Sequence, residues 1–113
     1  MKPEQIVQEN LEFYNNRNID GFMTSFSENI NIFNLGESTP TIVGKELVRK
    51  MYSELFERSP KLHSHILKRI VFGNTVIDHE SITGRNGNSD ALELVLIYEV
   101  ENQKICKITV LRK

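Results

Sequence analysis

Three features of the sequence predict an α+β domain. Two helical patterns precede any strand, a longer helical pattern follows the first strand, and from Leu62 onward the apolar spacing switches to a period of two. The expected order is α-α-β-α-β-β-β-β, with the late strands forming one curved, mostly antiparallel sheet whose inner face the helices cover. A chain of 113 residues has room for one core, so a single domain over residues 1–113 is expected.

Each element has a local reason. Pro3 suits a first helical turn, and Val7, Asn10, Leu11 and Tyr14 follow at i, i+3, i+4 and i+7 on one stripe. Asn18 can cap a short second helix in which Ile19, Phe22, Met23 and Phe26 repeat the spacing. NINIFNL, residues 29 to 35, alternates as a strand does, and GESTP breaks it. After Gly44, KELVRKMYSELFE places Leu47, Val48, Met51, Tyr52, Leu55 and Phe56 on a wide apolar face, and Ser59 and Pro60 end the helix. Strands are then expected near 62 to 72, 75 to 84, 90 to 101 and 104 to 112, separated by turn-forming stretches.

The direction of the strand side chains decides which of them can do chemistry. In ALELVLIYEV, Leu92, Leu94, Leu96, Tyr98 and Val100 share a face that the acids Glu93 and Glu99 mark as inward by their own position opposite. Cys106, Ile108 and Val110 are expected inside on the last strand. With Gly73 and Asn74 as turn residues, Phe72 faces Thr75, Ile70 faces Ile77, Arg69 faces Asp78, Lys68 faces His79 and Leu67 faces Glu80. The greasier face, holding Leu62, Ile66, Ile70, Phe72, Ile77 and His79, is taken as the interior. Asp78 then pairs with Arg69 on the outside, for a few tenths to about 1 kcal/mol, and Glu80 is a solvated or interface acid. His79 is either a ligand-contacting group or a core histidine bonded to a neighbour.

Composition excludes several classes. With 14 basic and 15 acidic residues, and no basic cluster interleaved with aromatics, no nucleic-acid partner is expected. No apolar run nears the roughly 20 residues that cross a bilayer, and MKPEQIVQEN has no signal-peptide core, so a cytoplasmic protein without a membrane partner is expected. Cys106 is the only cysteine, which rules out an internal disulfide and any cysteine-rich zinc site. His63 and His65 share a face but lack a third ligand, so no metal is expected, and nothing in the sequence calls for a cofactor. GxSxG is absent, which leaves Ser64 as a strand residue.

The opening helix pair, the motif NNRNIDGFMTSF, the strand ending at Asn34, the helix after IVGKE and the VIDHESITG hairpin together resemble the nuclear transport factor 2-like superfamily. Within it, the likeness is to SnoaL-like and steroid delta-isomerase-like bacterial proteins. The resemblance covers nearly the whole chain and lies in the order and spacing of these pieces. It implies a cone-shaped α+β barrel enclosing a pocket, commonly in a homodimer. Ketosteroid isomerases of this superfamily use a tyrosine on the first helix, an aspartate base at the end of the first strand and a protonated aspartic acid on a late strand. This sequence has Asn10, Asn34 and Leu96 at the matching positions, so that mechanism does not carry over. SnoaL-like cyclases use an acid and a histidine, for which His79 is the expected inward counterpart.

The resulting expectation is a protein that holds a small apolar molecule bearing a carbonyl or hydroxyl, as an isomerase- or cyclase-like enzyme or as a noncatalytic binding or dimerisation module. His79 is the expected catalytic group, and Asn10, Tyr14, Asn34 and Tyr98 are the expected ligand contacts. Val95, Ile97 and Leu111 on the outward strand faces predict a homodimer.

Overall fold

In a computed structural model describing residues 1–113, the helices are α1 (Pro3–Asn15), α2 (Ile19–Met23) and α3 (Lys45–Arg58). The strands are β1 (Phe26–Asn34), β2 (Ile42–Val43), β3 (His63–Phe72), β4 (Thr75–Thr83), β5 (Leu92–Glu101) and β6 (Lys104–Arg112). They form one unclosed sheet in the order β2-β1-β6-β5-β4-β3, antiparallel except where β1 meets β6. The sheet curls around the helices as the expected cone, and its core runs from Ile6 and Val7 on α1 through Val48 and Leu55 on α3 to Tyr98, Ile105 and Ile108 on the sheet. No helix is long and apolar enough to cross a membrane. The two-residue β2, too short to show a period, is the one strand the apolar pattern does not mark.

Side-chain hydrogen bonds lock the helices to the sheet edge. The Asn15 amide bonds to the backbone of Ser64 in both directions, donating to its carbonyl at 3.1 Å and accepting from its N–H at 2.8 Å. It thus takes the place of a missing neighbour strand along β3, whose other edge is free. Gly84, at φ +75°, ends β4 where a Cβ would lie 2.3 Å from the Lys61 carbonyl oxygen, so this position accepts only glycine.

The β3–β4 hairpin has the expected register from Phe72–Thr75 down to Lys68–His79, after which a bulge at Leu67 shifts the pairing to Ile66–Glu80. From Lys68 to Phe72 and along β4 its faces, however, are the reverse of the expected ones, whereas beyond the bulge Leu62 is buried and His63 and His65 are exposed as expected. Val76, Asp78, Glu80 and Ile82 are buried, while Ile70 and Phe72 are exposed, Phe72 to 81%. The cause is β5. Val76 faces Tyr98 and Glu80 faces Leu94, and the inward face of β5 is settled by its own leucines and acids. Hydrophobicity within the hairpin yields to the ladder it joins. Cys106 is a second correction: a bulge in the β5–β6 ladder gives its core place to Ile105, and the thiol, half-buried, donates to the Glu99 carbonyl at 3.3 Å.

Asp78, 1% exposed, is therefore an interior carboxylate. Arg69 Nε and Nη2 donate to Asp78 Oδ1 and Oδ2 at 2.6 and 2.9 Å, and Nη1 donates to Gln8 on α1 at 2.9 Å. A pair this buried behaves differently from the surface pair expected from the sequence, because losing one partner strands the other charge. Asp78→Asn should lower the free energy of unfolding by at least about 2 kcal/mol in urea titrations. A loss below about 1 kcal/mol would mean that the pair behaves as a solvated one.

Candidate functional site

Between the helices and the inner face of the sheet lies a cavity of about 120 Å³, room for about four waters or one small ring compound. Its walls are mostly apolar, and its exposed lining residues, Thr41 and Arg112, mark the mouth. Asn10, Tyr14, Asn34 and Tyr98, the four expected ligand contacts, all line it. Asn10 donates its amide to the Phe22 carbonyl at 3.2 Å, which ties that group to the α1–α2 junction. Asn34 sits near the mouth, its amide 3.5 Å from Glu37. His79 does not belong to this group. It stands on the outer face of the sheet, with Nε2 2.5 Å from Glu93 Oε1, and the expectation of an inward catalytic histidine is overturned by the same face reversal.

The ionisable group in its place is Glu80, one residue further along β4 and 4% exposed. It takes part in none of the protein's salt bridges. Burial pushes its pKa up to about 7; the Asp78 charge adds to the rise, and the neighbouring Ser64 hydroxyl, Arg85 and Arg69 work against it. Ser64, 3% exposed, lines the same wall, and its Oγ has no partner in hydrogen-bond geometry. The sequence signal for Glu80 was present in the alternation of β4 with β5, but the long connection from Gly84 to Ala91 hides how those strands align.

Three phenols complete the wall. Tyr14, Tyr52 and Tyr98 all line the cavity, and burial above all holds each of them protonated at neutral pH, Tyr52 with a pKa pushed up to about 12. The Glu80 charge favours the neutral phenol in all three. Edge-on and tilted aromatic contacts position two of the rings, Tyr14 against Phe56 at 5.6 Å and Tyr52 against Phe22 at 4.7 Å between centroids. The assembly is a carboxyl that titrates near neutrality facing fixed neutral donors, a combination suited to moving a proton on a bound molecule. On the outer face, the His63 and His65 rings lie 4.4 Å apart, and no group of three metal-ligating side chains is assembled anywhere.

Residues 7–108 match the family model described as SnoaL-like domain. No curated protein matches the sequence significantly. Among solved structures, an uncharacterised cystatin-fold protein from Novosphingobium aromaticivorans superposes with a TM-score of 0.89 at 20% identity, covering 99% of both chains. A nuclear transport factor 2-like protein from Cytophaga hutchinsonii gives 0.80 at 18% identity over 97% of this chain and 88% of its own. An LEH-like epoxide hydrolase of M. tuberculosis gives 0.82 at 14% identity over 96% and 80%. At such identities the likeness is one of fold.

The raised pKa of Glu80 has a consequence for stability with a definite sign. An acid whose folded pKa lies above its unfolded value costs nothing below pH 4.5, and its ionisation penalty grows as pH rises and is complete above about 7. The penalty approaches about 3 kcal/mol. Glu80→Gln, which stays neutral, should therefore gain melting temperature over the parent as pH is raised from about 5 to about 8. A difference that does not change over this range would contradict the burial assigned to the carboxyl.

Proposed function

The chain belongs to the SnoaL-like domain family, and from that premise we propose that its cavity binds a compact, largely apolar carbonyl compound and moves a proton on it, with Glu80 as the acid–base group. The observation that carries this reading is a buried carboxyl, without a basic partner, facing an apolar cavity that also presents three phenols. The Glu80 carboxylate removes a proton from the carbon next to the carbonyl. The electron pair moves onto the carbonyl oxygen, where a phenol of Tyr14, Tyr52 or Tyr98 donates a hydrogen bond to the growing negative charge. Protonated Glu80 then returns the proton to carbon. A positioned base contributes typically 10²–10⁴-fold to such a step. That a similarly folded protein is called an epoxide hydrolase fits a cavity that hosts chemistry on small molecules.

Deuterium uptake next to the carbonyl of cyclohexenone in D2O, followed by NMR, tests the step. The protein should accelerate exchange above buffer, with a rate that rises with pH through about 7 as Glu80 loses its proton. Glu80→Gln should remove about 10²-fold or more of that rate. Exchange that survives the substitution would dismiss Glu80 as the base. The engaged amide of Asn10 and the leucine at position 96 favour a second reading, a noncatalytic binding pocket, which predicts uptake of the ketone without exchange.

We further propose a homodimer formed through the outer face of the sheet, where Ile70, Phe72 and Leu111 are exposed beside Val95 and Ile97. Light scattering at micromolar concentration should give twice the 13.1 kDa chain mass, and Ile97→Glu should halve it. A monomer mass for the parent chain would contradict the proposal.

A further inference from the structure

Two arginines line the cavity, and the protein's own acids engage neither. Arg112, near the end of β6, faces Leu94, which on its other side faces Glu80, so all three residues share the inward face. Arg85 follows the constrained Gly84 in the short 3₁₀ turn after β4 and also lines the cavity. Five other basic side chains, Lys45, Arg49, Arg58, Lys107 and Lys113, pair with carboxylates; Arg85 and Arg112 form no salt bridge. Both act on the cavity electrostatically, Arg85 on Glu80 and Tyr14 and both on Tyr52. The buried hydroxyl of Ser64 lines the same wall, diagonal to Glu80 across the β3–β4 pair and close enough to act on it.

A cavity built for a neutral hydrocarbon has no use for two unpaired guanidiniums, and Glu80 alone does not account for them, since it pairs with neither. We propose that the ligand is a compact carboxylic acid whose carboxylate is held at the mouth by Arg85 and Arg112. Its apolar body extends toward Tyr98, and Ser64 donates to a polar atom on the way. A guanidinium offers a planar fork that matches a carboxylate in two parallel hydrogen bonds, and at a partly dry mouth such a pair selects strongly for that group. The cavity of about 120 Å³ limits the body to about one small ring. This inference rests on the reading of the cavity as a small-molecule site, and not on Glu80 moving a proton.

Benzoate and its neutral counterpart benzamide test it by titration calorimetry on the full chain. Benzoate should bind at least about tenfold more tightly than benzamide, and the difference should shrink with added salt. Arg85→Gln combined with Arg112→Gln should bring the two affinities together while the variant still unfolds in one cooperative transition, since neither side chain supports an ion pair. Glu80→Gln should keep or widen the preference by removing a like charge, even if it abolishes deuterium exchange, so the two proposals fail separately. Equal binding, a preference for benzamide, a preference that survives in the double arginine variant, or failure to bind benzoate at millimolar concentration would each overturn the inference.

Discussion

Val76 stands opposite Tyr98, Asp78 opposite Leu96 and Glu80 opposite Leu94, and because opposed residues on neighbouring strands share a face, this register commits two carboxyl groups to the inside of the sheet. The interior cannot hold both charges bare. Asp78 is matched by Arg69, which Gln8 on α1 steadies, and the first helix is thereby tied to the hairpin. Glu80 has no such partner, so its burial is expressed as a raised pKa instead of an ion pair. The contrast between these two acids, two residues apart on one strand, separates a structural role from a chemical one.

The rest of the site depends on that contrast. The Glu80 charge sits close enough to favour the neutral form of all three tyrosines. Arg85 and Arg112 moderate the field from the mouth, where water can still reach them. A ligand that brings its own negative charge to those arginines leaves Glu80 with less help in ionising, and one that brings a carbonyl meets neutral donors already in place. The small cavity volume makes both effects stronger by leaving little room for water.

The helices, the late strands and the inward set on β5 were legible in the sequence because each repeats a period over many residues; Leu94, Tyr98 and Val100 are buried as their alternation requires. The β3–β4 register was legible as far as Lys68–His79, since the Gly73–Asn74 turn dictates it, but the bulge that pairs Ile66 instead of Leu67 with Glu80 was not. The facing of that hairpin was not. Its apolar residues Ile70, Phe72 and Ile77 cluster on the side that the sheet turns outward, and only the non-local alignment of β4 with β5, across an eight-residue connection, reveals the inversion. Asn10, Tyr14, Asn34 and Tyr98 line the cavity because their elements face as expected, whereas His79 lies outside and Glu80 inside by one residue of alternation.

The most direct measurement is the pH titration of the Glu80 side-chain carboxyl by carbon-13 NMR, with the resonance assigned through the Glu80→Gln variant. A midpoint near 7 is expected, because the group is buried beside a second acid that Arg69 already claims. A midpoint near 4.5, the ordinary value for glutamate, would place the side chain in water and contradict the inward register on which the site is built.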